Sequence, residues 1–351
     1  MSEPVAFGLG TFAGADGATF PGLVRHGKVH DLGSALGPRT TTLSLLEDWA
    51  AALPTLHKLA HAPPDEGTPI AELRPLPPVQ SRQLLCAGAN YFQHVREIGF
   101  SFRKNSGDLR PDEEIRADAE EATRRRYEVE DPFVFAGLTS AMCGARDDIV
   151  LWGPGEQHDW ELELAVVIGR RARIVGREDA MQYVAGYTVG NDISTRDVMY
   201  RPDFPMTDFI MTKSRPTFFP TGPYIVPREF VPDPRALRIH LTVNGEVMQD
   251  ESVDDIIYGV EDLVSYASTV AELLPGDVLL TGSPAGNAGH HGNRWLRPGD
   301  VIEGEITGLG RQRNLCVAPP ANAEWRRAEG RAPASTAIPP PSSSSGSSPS
   351  P

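Results

Sequence analysis

"DWELELAVVIG", residues 159–169, poses the question on which the fold turns. Its second half is the apolar run of a strand, yet Glu161 and Glu163 stand two residues apart just ahead of it. In an extended strand, side chains at i and i+2 share a face about 7 Å apart, so both carboxylates point the same way. A solvated strand face bearing two charges is the plain alternative. The run "LAVVIG" argues against it, because uninterrupted apolar residues mark a strand covered on both faces, where like charges are costly unless neutralised. A cation between the two carboxylates is the simplest remedy.

Working outward, "GYTVGNDISTRD" ends a β-rich run in polar residues and brings Asp192, Arg196 and Asp197 close together. Asp192 would complete an all-oxygen set that suits Mg²⁺, with Mn²⁺ or Ca²⁺ also possible, better than zinc. Three carboxylates exceed a divalent charge by one, so an anionic substrate would need cations such as Arg196 and Lys213 of "MTKSRPTFFPTGPY". Taken singly, each of these residues is better explained by a surface ion pair. In "GANYFQHVREIG" a short helix would set His94 and Glu97 at i and i+3, where Glu97 could fix the imidazole tautomer of a general base. A helix-surface pair is the alternative. "LLTGSPAGN" runs from a strand into a turn presenting Thr281, Ser283 and backbone amides, which can hold a carboxylate and can equally be an ordinary turn.

Composition narrows the function classes. The 351 residues, 40% of them hydrophobic, are enough for one large domain and a smaller one. A formal net charge of -14 repels phosphate backbones and anionic lipid, so nucleic acid and membrane are not expected partners. No apolar run is long enough to span a bilayer, and "MSEPVAFGLG" lacks the features of a signal peptide, so a cytoplasmic protein is expected. Cys86, Cys143 and Cys316 are far apart in apolar contexts, the pattern of buried thiols in a reducing compartment. P-loop, His-Glu-x-x-His, Cys-x-x-Cys and Gly-x-Ser-x-Gly motifs are absent. Gly8, Gly10 and Ala13 match a dinucleotide fingerprint in spacing, but no amphipathic helix follows, so that reading is rejected.

Along the chain, residues 1–75 form a small α+β unit with a hairpin turning at Gly27 in "PGLVRHGKVHDL". Ser44 and Glu47 suggest a capping box opening a helix kinked or interrupted at Pro54. "RPLPPV", residues 74–79, is expected to be a linker. Residues 80–317 have the short strands and turns of a β-rich body. Within them, residues 100–130 are charge-dense with little apolar stripe and suggest a solvated lid. Residues 318–351, rich in Pro and Ser, are expected to be disordered.

Seven stretches in order resemble the fumarylacetoacetate hydrolase family: "LLCAGANYFQHVREIG", "DWELELAVVIGRRARIV", "VAGYTVGNDISTRD", "TKSRPTFFPTGPYIV", "LTVNGEVMQD", "LLPGDVLLTGSPAGN" and "LRPGDVIEGEITGLG". The resemblance covers roughly residues 80–317. It implies a β-rich α+β fold, with a mixed β-roll and a small N-terminal domain, usually as a homodimer. It also implies a divalent cation on Glu161, Glu163 and Asp192, polarising the ketone of a 2-oxo or β-diketo acid. His94 oriented by Glu97 would activate water for carbon–carbon cleavage of an acylpyruvate, Lys213 and Arg196 would stabilise developing charge, and Thr281 and Ser283 would help hold the substrate. Decarboxylation, hydration and isomerisation are alternatives that use the same enolate chemistry. A non-catalytic binding protein on this fold is a further alternative. Three departures stand out: Met199 where relatives often carry glutamine, Ala136 where many carry lysine, and His290 and His291 in "GNAGHHGNRW", read as solvated loop residues. The first two favour a less charged or bulkier apolar substrate.

Overall fold

The computed structural model describes residues 6–61, 67–105, 107–201 and 204–321; most of the Pro/Ser-rich tail lies outside them. The stretch at 159–169 becomes the strand Leu162–Ile168, with all seven residues buried. It pairs antiparallel with Val184–Asn191 on one side and with Val278–Leu280 on the other. These lie within an eight-stranded mixed sheet that continues through Leu84–Ala87 and Val134–Gly137 at one edge, and through Phe219–Thr221 and Met142–Gly144 at the other.

Alternation along the central strand divides its side chains between two cores. Leu162, Leu164, Val166 and Ile168 face one apolar cluster with Ile239, Leu241, Val243, Ile302 and Ile306. Those residues come from a second, five-stranded sheet ordered Glu246–Ser252, Arg238–Val243, Val301–Ile306, Gly310–Val317 and Ile149–Val150. The sheets approach closely at Gly304, where a Cβ would lie 2.7 Å from the Leu162 side chain. Ala165 and Val167 face the other way, into a cluster with Leu46, Leu84, Cys86, Phe219 and Leu280. A strand covered on both faces is thus the product of two distinct packings, and by parity Glu163 belongs to the second.

The N-terminal residues build another five-stranded sheet around Gly8–Ala13 and Thr19–Arg25. The dinucleotide-like glycines lie in its first strand. A Cβ at Gly8 would sit 2.5 Å from the Tyr224 ring, so the glycine serves close packing. His26 and Gly27 both have positive φ and form the tight turn between Thr19–Arg25 and Lys28–Asp31. Three local expectations change. The helix opens earlier, at Thr42, where Thr41 and Ser44 exchange side-chain and backbone hydrogen bonds of 3.0 and 2.9 Å. Its break falls at Asp48, and Pro54 lies inside the next helix, Trp49–Ala60. Arg74–Pro75, expected to be linker, pairs with Gly8–Ala13, and Arg74 also meets Asp147 at 2.8 Å.

The charged stretch at 100–130 is a two-helix unit, Phe92–Asn105 followed by Asp112–Val129. Its stripe is narrow: Ile115, Ala119 and Thr123 at i, i+4 and i+8 are buried. Ion pairs of Arg103 and Arg110 with Asp118 and of Lys104 with Asp112 tie the helices together outside it. No helix among the described residues is long and apolar enough to cross a membrane.

Leu164 has 0% exposure at the centre of the larger core, so Leu164→Ala is expected to lower stability by about 2–5 kcal/mol in urea denaturation. Val270→Ala, at a position 70% exposed, is expected to change it by less than about 0.5 kcal/mol.

Candidate metal centre

The strands Leu84–Ala87, Val184–Asn191 and Val278–Leu280 run the same way, opposite to Leu162–Ile168. Their C-terminal ends therefore surround the start of the central strand. Asp192 follows one of them directly, and its backbone N–H donates to the Glu161 carbonyl at 2.9 Å. Glu161, Glu163 and Asp192 are brought together in this way, with one carboxylate oxygen from each lying within 4.8 Å of the others. All three are buried.

The other charges are equally specific. Lys213 ends the short helix Phe209–Lys213 and spends its three protons on Glu161 Oε2 at 2.6 Å, Asp192 Oδ2 at 2.6 Å and Ser194 Oγ at 2.8 Å. Arg196 donates from Nη2 to Glu161 Oε1 at 2.5 Å and from Nε to Asp159 Oδ2 at 2.8 Å. The Gly282 N–H donates to Glu163 Oε2 at 2.7 Å. Gly282 adopts φ +96°, and a Cβ there would lie 2.9 Å from that of Asn90, so the turn must carry glycine.

These contacts leave the cluster short of positive charge. Asp159, Glu161, Glu163 and Asp192 supply four carboxylates, while Lys213 and Arg196 supply two cations. Burial pushes Glu163 well above the usual carboxylate range, and its neighbours Asp192 and Glu161 push it further. Burial likewise pushes Asp192 up to about 7, with Glu161 adding to the effect and Lys213 opposing it. Glu161 is the exception: burial would raise it, but Arg196, Lys213 and His94 outweigh that and hold it at about 2. Asp192 Oδ1 is buried with no hydrogen-bond partner among the described residues. An all-oxygen set, a charge deficit of two and an orphaned carboxylate oxygen fit a divalent cation of the Mg²⁺, Mn²⁺ or Ca²⁺ kind.

The chain belongs to the fumarylacetoacetate hydrolase family. The family model described as fumarylacetoacetate (FAA) hydrolase C-terminal matches residues 83–317. The chain is 34% identical over 252 residues to a fumarylacetoacetate hydrolase domain-containing protein 2 homolog of Dictyostelium discoideum, covering 69% of this chain and 73% of that one. It is 34% identical over 244 residues to a mitochondrial oxaloacetate tautomerase of Bos taurus, covering 69% of each. Among solved structures, the fumarylacetoacetate hydrolase of Exiguobacterium antarcticum is similar with TM-score 0.67 and 26% identity, over 89% of this chain and all of that one. The fold is accordingly the β-rich α+β architecture of this family.

The remaining expected site residues are distributed unevenly. His94 lies on the helix Phe92–Asn105, 8% exposed, and feels Glu161, Arg196 and Lys213; its Nδ1 has no partner among the described residues. Glu97 does not pair with it. Glu97 lies against the His290 imidazole, and its Oε2 has no hydrogen-bond partner among the described residues. The histidines read as solvated are both engaged, His291 through Nε2 to the Met248 carbonyl at 3.0 Å. Thr281 is fully buried. Ser283 Oγ accepts from Gln249 at 3.0 Å and turns its proton to the Pro284 carbonyl at 3.1 Å. Met199 is half-buried and Ala136 exposed.

Gln249, Asn90 and Asp159 were not singled out from the sequence. Gln249 links the Leu162 N–H, at 3.1 Å, to the Ser283 turn. Asn90 clasps the backbones of Tyr258 and Thr281 with bonds of 2.8–3.0 Å. Asp159 opens the decisive stretch itself, but two of its three partners lie 37 and 129 positions away.

Glu163→Gln is expected to weaken Mn²⁺ binding by more than about 10-fold in calorimetry and to abolish the rise in melting temperature that Mn²⁺ gives the unmutated protein. Burial holds His94 and His158 at about 4, below the ordinary 6.5. Between those values the unfolded chain takes up protons at these histidines that the folded chain refuses, so they lower stability as pH drops, while Glu163 and Asp192, raised by burial, act in the opposite sense. The histidine contribution is therefore read by comparison: from pH 7 to pH 5 the urea midpoint of His158→Gln is expected to shift upward relative to that of the unmutated protein.

Proposed function

We propose that this protein is a divalent-metal-dependent enzyme acting on a 2-oxo acid of the acylpyruvate or oxaloacetate class, with proton transfer to and from the carbon beside the ketone as its common step. The observation that carries the reading is the buried cluster two positive charges short, with the buried His94 beside it, whose Nδ1 has no partner among the described residues. Glu161, Glu163 and Asp192 would hold the cation, which when bound supplies Lewis-acid polarisation of the ketone. His94 is the base: burial keeps it uncharged at neutral pH, and its free Nδ1 can take a proton. Lys213 and Arg196 keep two fixed positive charges against the region where negative charge grows on the substrate. The turn at Gly282 and Ser283 lies at the same end of the sheet and would receive the substrate carboxylate.

Two outcomes of this step are ranked by what supports them. Keto–enol tautomerisation, an isomerisation, comes first: it needs one base at one carbon, and the chain is 34% identical to an oxaloacetate tautomerase. Hydrolysis of a carbon–carbon bond also needs activated water, which His94 oriented by Glu97 would supply; His94 Nδ1 and Glu97 Oε2 are both buried without a hydrogen-bond partner among the described residues. The likeness to a fumarylacetoacetate hydrolase structure at 26% identity keeps hydrolysis as the second reading. Beyond Lys213 the wall is aromatic: its Nζ lies 5.6 Å from the Phe135 ring, which stacks on Phe209 at 4.2 Å. Such a wall favours an apolar or aryl acyl group over a second carboxylate.

The test is loss of enol absorbance for oxaloacetate, fumarylacetoacetate and a series of acylpyruvates, with Mn²⁺ and with EDTA. Activity is expected on the series, lost with EDTA and lowered about 10²- to 10⁴-fold in His94→Ala. Accumulation of cleavage products would place hydrolysis first, and silence on every compound would reject the reading. Phe209→Ala is expected to reduce kcat/KM for an aroylpyruvate several-fold more than for acetylpyruvate.

A further inference from the structure

The stretch "MTKSRPTFFPTGPY" carries another cation two residues beyond Lys213, and its surroundings are of a different kind. Arg215 is 8% exposed, yet among the described residues no carboxylate lies within ion-pair distance of it. Its donors meet neutral acceptors instead. Nε donates to the Met211 carbonyl at 3.1 Å, Nη2 to the Pro154 carbonyl at 2.8 Å and to Met211 Sδ at 3.6 Å, and Nη1 to the Trp152 carbonyl. Burial lowers the guanidinium from 12.5 to about 10, with Asp197 opposing it. A buried charge met only by neutral groups is costly, and an apolar side chain would fill the same space at less cost, so packing by itself does not account for an arginine here.

The guanidinium joins a short helix to a loop that also supports the other cation of the cluster. The helix Phe209–Lys213 has five residues, too few to stand alone. Asp208 holds its first turn by accepting from the Met211 N–H at 3.0 Å, and Arg215 takes the carbonyl of the same residue. Trp152 Nε1 donates back across the contact to the Pro216 carbonyl at 3.0 Å. Thr217 is held at φ +72°, a costly conformation for a β-branched residue, and its hydroxyl accepts from the Val150 N–H at 2.8 Å. The loop runs on to Gln157, whose carbonyl accepts from the Arg196 N–H at 2.8 Å, while Asp197 accepts from the N–H groups of Glu156 and Gln157 at 2.9 and 3.3 Å. Residues 150–157 therefore bond to the chain beside both Lys213 and Arg196. Resting on the function proposed above, we propose that Arg215 is a positioning residue: by pinning the Lys213 helix to the carbonyls of Trp152 and Pro154, it keeps the Lys213 ammonium in register with Arg196 against Glu161 and Asp192. A planar fork suits the task because it reaches acceptors on two segments at once, which an ammonium does not.

The test uses the full chain and compares Arg215→Met, Arg215→Lys, Lys213→Met and the double variant with Met at both positions. Leu241→Ala, in the core of the second sheet, serves as a variant destabilised away from the helix. With Mn²⁺, Arg215→Met is expected to lower kcat about 10- to 100-fold and to shift KM by less than about threefold. Arg215→Lys, which keeps the charge without the fork, is expected to restore only part of the loss. Added to Lys213→Met, Arg215→Met is expected to lower kcat by less than about threefold more, because both changes act through one ammonium. Without metal, acetylation of Lys213 by acetic anhydride, read by mass spectrometry against the exposed Lys58, is expected to be at least about fivefold faster in Arg215→Met, faster also in Arg215→Lys, and unchanged in Leu241→Ala. Labelling unchanged in the Arg215 variants, labelling raised as much in Leu241→Ala, or losses of kcat that multiply in the double variant would overturn the proposal. If Arg215→Met does not fold, Arg215→Lys decides by the same two readouts. Labelling needs no turnover, so an unmutated protein inactive on every 2-oxo acid would reject the proposed reaction, while the labelling comparison would still decide whether Arg215 holds Lys213.

Discussion

Four carboxylates against two cations, all drawn to one end of a sheet, form the constraint around which the rest of the structure is arranged. Buried like charges are tolerated only where opposite charge and hydrogen bonds meet them. Each surrounding element brings one such partner: a five-residue helix brings Lys213, the turn after Val184–Asn191 brings Arg196, and a glycine turn brings a backbone amide to Glu163. The balance still falls two charges short. That deficit distinguishes the cluster from a structural ion-pair network, which would close on itself.

The carboxylates at the cluster carry different duties. Glu161 accepts both cations and stays ionised, while Glu163 and Asp192 are opposed by burial and by each other. Asp159 links Arg196 to the backbone of the loop at Ala288. Gln249 adds a second tie, from the first residue of the central strand to the Ser283 turn.

Local rules read some of this correctly and some not. Period-two spacing was enough to put Glu161 and Glu163 together, because strand geometry is independent of what surrounds it. The apolar run that follows was enough to require cover on both faces. The charged stretch at 100–130 was harder, since a stripe of Ile115, Ala119 and Thr123 is too narrow to stand out from the charge around it. The helix at 42–60 shows the same limit: Thr41 and Ser44 compete with Ser44 and Glu47 as a capping pair, and only packing of Leu46 and Leu56 into different clusters sets the break between them.

The sequence by itself determined the strand, its paired carboxylates, the ordered series of motifs and hence the family, because these depend on neighbours in the chain or on a fixed order of short stretches. Tertiary structure alone decided which charges neutralise which. Asp159 accepts from the backbone of its neighbour Trp160 and also from Arg196 and Ala288, 37 and 129 positions away. Such choices arise where loops from distant parts of the chain converge, and sequence spacing carries no measure of distance across that gap.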